Sequence, residues 1–136
     1  MPLSVIKSKR DESEIEFVHT ARQLQIHTIQ KCVNFPKRYT FYVSQPIAAC
    51  ATRIHEYVKC ANSIYPLNQH EAQLRRDYML RANAELNSLV SQIEVANELF
   101  GIEGDKLKYW MDIVEKEMRL VKGTMKKDRE RYKNLP

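Results

Sequence analysis

With 136 residues and a formal net charge of +5, the chain is sized for one domain with a real core and not for two. Three glycines and five prolines, set against 43% hydrophobic and 29% charged residues, imply long regular elements with few turns and exclude a chain that is disordered throughout. Three cysteines (Cys32, Cys50, Cys60) lack C-x-x-C spacing and fit reduced thiols better than a disulfide framework; with no apolar run of membrane-spanning length, the expected compartment is the cytoplasm.

Residues Met1 to Arg10 read as an irregular arm, basic at Lys7, Lys9 and Arg10. The run Asp11-Glu12-Ser13-Glu14 supplies capping and acidic residues suited to a helix N-terminus. Ile15, Val18, Ala21 or Arg22, Leu24, Thr28, Ile29 and Cys32 then recur at steps of three and four, which predicts a helix ending near Val33 or Asn34. Pro36 enforces that stop by disfavouring helical geometry at Phe35. The second helix carries the clearest stripe: Val43, Ile47, Cys50, Ile54, Tyr57, Val58, Ala61, Ile64 and Tyr65. Pro46 allows two starts, one near Ser44 with the proline in the first turn, the other near Tyr39 with a bend at the proline. The bend is the preferred expectation, because Tyr39, Phe41, Tyr42 and Val43 are too apolar for an exposed loop.

Pro66 ends the second helix, and Asn68-Gln69-His70-Glu71 has the form of a capping box. Leu74, Tyr78, Ala82, Glu85 or Leu86, Leu89, Ile93, Ala96 and Phe100 trace a long third helix, stopped by Gly101. The fourth begins near Gly104 or Asp105 and shows Leu107, Trp110 or Met111, Val114, Met118, Val121 and Met125, with a basic end from Lys126 onward expected to fray. Strand alternation is nowhere sustained. The expected architecture is all-α, an up-down-up-down four-helix bundle in a single domain spanning residues 1–136.

Parts for catalysis are sparse. Glu16-Phe17-Val18-His19 is a Glu-x-x-His on a helix, half of the constellation a diiron bundle needs, and no second copy exists. Histidines and cysteines never approach zinc-ligand spacing, and Cys50 and Cys60 lie on the apolar stripe, where inert thiols are expected. There is neither a glycine-rich phosphate loop nor a Gly-x-Ser-x-Gly elbow. The expectation is a protein without enzymatic activity, metal or cofactor.

The positive charge is concentrated. Arg119, Lys122, Lys126, Lys127, Arg129, Arg131 and Lys133 crowd one end, opposed from Arg119 onward only by Asp128 and Glu130. Lys31, Lys37, Arg38, Arg53 and Lys59 form a second concentration, opposed between Lys31 and Lys59 only by Glu56. The plain reading is solvated helix faces and favourable charge at helix C-termini. The functional reading has bundled helices gathering Lys37, Arg38, Arg53, Lys59, Arg75, Arg76 and Arg81 into one field for phosphates, with Lys126, Lys127, Arg129 and Arg131 as a second, less ordered set. Tyr39, Phe41 and Tyr42 exceed what a small bundle buries and suggest a subunit interface.

Phe35-Pro36-Lys37, followed by Val43 and the stripe through Ile47, Ala51 and Ile54, resembles a bacterial four-helix-bundle family. That family includes the accessory variability determinant (Avd) proteins of diversity-generating retroelements and the proteins encoded in intervening sequences of large-subunit rRNA genes. The likeness covers most of the chain, although a helix former is more usual where Pro46 stands. Tyr57-Val58-Lys59-Cys60-Ala61-Asn62 lacks the small-residue segment ending in Glu-Gly of the intervening-sequence branch, which favours the Avd-like one. The resemblance implies a basic homopentamer, without catalytic residues, that binds a reverse transcriptase and contacts RNA or DNA during mutagenic copying of a template. A protein-binding oligomeric scaffold without nucleic-acid contact is the alternative, and a metal-dependent bundle enzyme using Glu16 and His19 a third.

Overall fold

Helix α1 (Glu12–Cys32) gives way to a bend before Pro36, where the Phe35 amide donates to the Cys32 carbonyl at 3.1 Å. The computed structural model describes residues 12–136, so the arm at residues 1–10 and the cap assigned to Asp11 lie outside the described residues. Beyond the bend the backbone winds continuously from Lys37 to Asn62, and its pitch changes on the way. A 3-10 turn (Lys37–Tyr39) leads into a π turn (Thr40–Ser44), then into α2 (Gln45–Asn62), whose second residue is Pro46. Both expected starts of the second helix are thus partly met. Winding begins at the corner, and regular α geometry begins just ahead of the proline. The cause is steric. Pro46 has no N–H and its ring crowds the carbonyl four residues back, so the chain widens locally. The Gln45 amide accordingly donates to the Thr40 carbonyl, a five-residue step.

This preface has a structural use. Helix α3 (Gln69–Phe100) is 32 residues long and α2 only 18, so the eight wound residues at 37–44 extend α2 along its partner and bury Val43 against it. Asn68 Oδ1 accepts from the Glu71 amide at 2.9 Å, as the capping pattern predicts; the reciprocal bond reaches the Leu67 amide at 2.8 Å and not that of Asn68. Gly101 stops α3 with a φ of +74°, a conformation that favours glycine. Glu103 caps α4 (Gly104–Arg131), accepting from the amides of Asp105 and Lys106.

The described residues form an all-α four-helix bundle in which each helix packs on its sequence neighbours and α4 closes back on α1. Its core is built from Phe17, Leu24, Ile47, Ile54, Val58, Leu86, Leu89, Ile93, Trp110 and Val114. Trp110 donates to Thr28 Oγ1 at 3.0 Å inside the α1–α4 seam. Phe35 plugs one end of the bundle, its ring 4.8 Å from Phe100 and 6.1 Å from Trp110, and Tyr39 stacks on Phe100 at 5.3 Å.

Three expectations about the core need correction. On α1 the buried line runs Phe17, Ala21, Leu24, Thr28, Cys32, while Ile15 and Ile29 are exposed; α2 and α4 cover this line, and the two isoleucines lie about a quarter of a turn or more from its centre. On α3 the first turns bury Arg75 and Met79, leaving Leu74 exposed and Tyr78 half-buried. On α4 the central line includes Glu117, Thr124 and Asp128, with Met118 and Met125 at its margin. The basic end does not part from the bundle. Helix α4 continues to Arg131, the Gln69 amide donates to the Pro136 carbonyl at 2.9 Å, and Gln69 Nε2 donates to the carbonyls of Tyr132 and Leu135.

Candidate nucleic-acid interface

The eleven cations singled out from sequence fall into three environments. Arg75 is the clearest departure from expectation, because it is an interior clamp and not a surface contact. It is 3% exposed; its Nε donates to Asp128 Oδ2 at 2.7 Å and its Nη2 to Asp128 Oδ1 at 3.3 Å. Its Nη1 donates to the carbonyls of Ala61 and Ile64 at 3.1 and 3.2 Å, satisfying the C-terminal end of α2. Glu14 of α1 lies 4.0 Å away and also binds Arg131, so one network joins all four helices. Phosphate cannot reach Arg75, and Arg131 is committed to Glu14. Arg53 is likewise engaged, donating through Nε and Nη2 to the two Glu85 carboxylate oxygens at 2.7 and 3.1 Å. That pair holds the Glu85 carboxyl below its ordinary range.

Of the remaining first set, Lys37, Arg38, Lys59 and Arg81 are exposed and Arg76 is half-buried. Arg38 lies over the Tyr39 ring and Arg81 over the Tyr78 ring, at 5.1 and 5.8 Å from the centroids. They do not make one field. Lys37 and Arg38 sit where the chain enters α2 and Lys59 in its last turn, which places them ~33 Å apart along the winding axis at 1.5 Å per residue.

The second set is better ordered than its sequence suggests. On α4, Arg119, Lys122, Lys126 and Arg129 recur at steps of three and four; all four are exposed, and none meets a carboxylate among the described residues. They form a cationic ridge ~15 Å long on the solvent side of the helix. Lys127 stands beside it on a groove of about 390 Å³, shared with Glu16, Lys116 and Arg119. On the other flank Arg76 reaches across from α3 into a cleft that Arg129 also lines. Arg119 and Lys122, absent from the phosphate contacts named from sequence, were legible in the same three-four spacing.

Chemically reactive parts do not converge. Glu16 is spent on Lys116 at 4.0 Å, His19 is exposed, and no group of three metal-ligating side chains occurs among the described residues. Cys32 and Cys50 are buried, and burial pushes both thiols up to about 12; Cys50 Sγ also donates to Glu85. Cys60, expected to be buried on the stripe, is only half-buried. A thiol reagent at pH 8 is therefore expected to modify one cysteine per native chain, Cys60, and all three in denaturant; fast native labelling of two or three would contradict this placement.

Phe41 and Tyr42 are 74% and 84% exposed, aromatic surface beyond what the bundle buries, although they lie in a wound segment and not in a loop; Tyr39 is half-buried. The π turn rotates both outward while pointing Val43 and Ser44 inward. No helix among the described residues is long and apolar enough to cross a membrane. No protein-family model, curated protein or solved structure matches the chain.

Proposed function

We propose that this chain is a non-catalytic nucleic-acid-binding bundle, working in the cytoplasm as an oligomeric accessory protein to a reverse transcriptase of a diversity-generating retroelement. The observation that carries the nucleic-acid reading is the ridge Arg119, Lys122, Lys126 and Arg129, unpaired among the described residues, on a helix packed against α1 and α3. A line of exposed cations that form no ion pair among the described residues attracts a phosphate backbone irrespective of base sequence. What supports the polymerase partner and the homopentamer is the resemblance at Phe35-Pro36-Lys37 and the stripe after it. The outward-facing Phe41 and Tyr42 add aromatic surface suited to a protein contact. The functional contacts in this reading are Lys122, Lys126, Lys127 and Arg129 with Arg119; Lys37, Arg38, Arg76 and Arg81 extend the positive surface, and Arg53, Arg75 and Arg131 are structural.

Full-length protein is expected to bind labelled RNA and DNA with an affinity that falls steeply with salt. Lys122→Gln, Lys126→Gln and Arg129→Gln together should weaken binding across sequences and reduce the salt slope by about 0.7–0.9 per contact removed, read by fluorescence anisotropy over a salt series. Unchanged affinity and slope in the triple variant would remove the ridge from the interface. The second reading is an oligomeric scaffold that binds protein alone, and the exposure of Phe41 and Tyr42 favours it. A stable oligomer with no oligonucleotide binding at low salt would select it.

A further inference from the structure

The cationic ridge ends at a cleft between the first turns of α3 and the last turns of α4, and this cleft differs from the rest of the surface. It has a volume of about 110 Å³, with Ala72, Met79 and Met125 among its walls. Two guanidinium groups line it, Arg76 from α3 and Arg129 from α4, and neither has a partner among the described residues. The other charges there are already matched. Asp128 is taken by Arg75, and Lys133 Nζ is 2.9 Å from Glu130. The cleft therefore carries two uncompensated positive charges in a space with apolar walls, where a charge-assisted hydrogen bond is stronger than in open water.

We infer that this cleft is a receptor for the terminal phosphomonoester of a nucleic-acid strand, an inference that rests on the nucleic-acid reading above. Two observations select an end over an internal phosphate. The opening is closed at the bundle's tip, where Gln69 bonds to the carbonyls of Tyr132, Leu135 and Pro136, so a strand cannot run through it. An internal phosphodiester carries one charge and is substituted on both sides; a terminal monoester carries close to two and presents three acceptor oxygens to paired guanidinium forks. The volume suits a phosphate group and not a whole nucleotide, so the rest of the strand leaves along the ridge at Lys126 and Lys122, where its backbone meets the next cations.

The test uses the full chain and single-stranded RNA and DNA 12-mers in three forms: 5′-phosphorylated, 3′-phosphorylated, and hydroxyl at both ends. At physiological salt one phosphorylated form is expected to bind about tenfold more tightly than the hydroxyl form, and which one does assigns the polarity of the strand. Arg76→Gln with Arg129→Gln should abolish that preference while weaker binding persists. Lys122→Gln with Lys126→Gln should weaken all three forms and leave the preference intact. Equal binding of phosphorylated and hydroxyl ends by the wild-type protein would overturn this inference while leaving the nucleic-acid reading in place. An end preference that survives loss of both arginines would overturn the assignment to this cleft. No binding of any form at low salt would overturn the nucleic-acid reading itself, and this inference with it.

Discussion

Glu117→Met is expected to stabilise the bundle and to flatten its dependence on pH. Glu117 is fully buried on the core line of α4, and neither carboxylate oxygen has a hydrogen-bond partner among the described residues. The antiparallel seam that sets Thr28 on Trp110 brings Thr20 of α1 to the same level, and the Thr20 hydroxyl is also buried without a partner. Burial pushes the Glu117 carboxyl up to about 9, with the charge of neighbouring Lys116 acting in the opposite direction. In the fold the group is therefore a neutral acid at pH 7, whereas in the unfolded chain it ionises near its ordinary value of 4.5.

The sign follows from which state holds the proton. Between pH 4.5 and about 9 the folded state binds one proton that the unfolded state has released, so stability is full below 4.5 and declines as pH rises to about 9. At pH 7 the loss is about 3 kcal/mol, and methionine, close in shape and without polar atoms, removes it. Thermal melts from pH 5 to 9 should show the wild-type midpoint falling, and the Glu117→Met midpoint staying flatter and lying roughly 10 °C higher at pH 7, with a wider gap at pH 8–9. Glu117→Gln should flatten the profile with less gain, since it leaves a buried amide in place of the acid. A methionine variant less stable than wild type at every pH would show that the carboxyl is satisfied in solution, and this account would be wrong.

The opposite result is expected at Arg75. Arg75→Met strands the Asp128 carboxylate, removes a second cation from Glu14, and frees the carbonyls of Ala61 and Ile64. Removing one partner of such a buried network costs about 3–5 kcal/mol, a large share of the 5–15 kcal/mol that holds a small domain together. Urea unfolding followed by circular dichroism should show the midpoint falling with little change in slope. Arg75→Met with Asp128→Leu should recover part of the loss, because an apolar pair replaces the orphaned carboxylate. The double variant, which leaves no unmatched carboxylate in the cleft between α3 and α4, should bind hydroxyl-ended oligonucleotides as well as wild type. A variant of normal stability with selectively weakened binding would return Arg75 to the interface.

These two residues also mark where reading the chain alone fails. Arg75 and Glu117 lie on the core lines of their helices, at 75, 79, 82, 86, 89, 93, 96 and at 110, 114, 117, 121, 124, 128. An apolar-stripe reading passes over a charge at such a position and takes the nearest hydrophobic side chain, which is why Leu74, Tyr78 and Met118 stood in their place. Phe17 was lost to a competing stripe through Ile15 and Val18, because several arcs of α1 are apolar and only α2 and α4 decide which is covered.

Local chemistry determined the helices and their ends without help from the fold. Pro36 bars helical geometry at Phe35, Asn68 offers an acceptor to the Glu71 amide, and Gly101 adopts a positive φ at little cost. Those effects act within four or five residues, so the sequence contains them whole, and four amphipathic helices with short links leave a bundle as the ready packing. Tertiary structure alone decided the fate of the charges. Whether an arginine is a clamp or a contact depends on the carboxylate that meets it from another helix, 53 residues away for Arg75 and Asp128, 117 for Arg131 and Glu14. Two of the arginines left over, Arg76 and Arg129, share a cleft only because α3 and α4 run antiparallel and bring their opposite ends together.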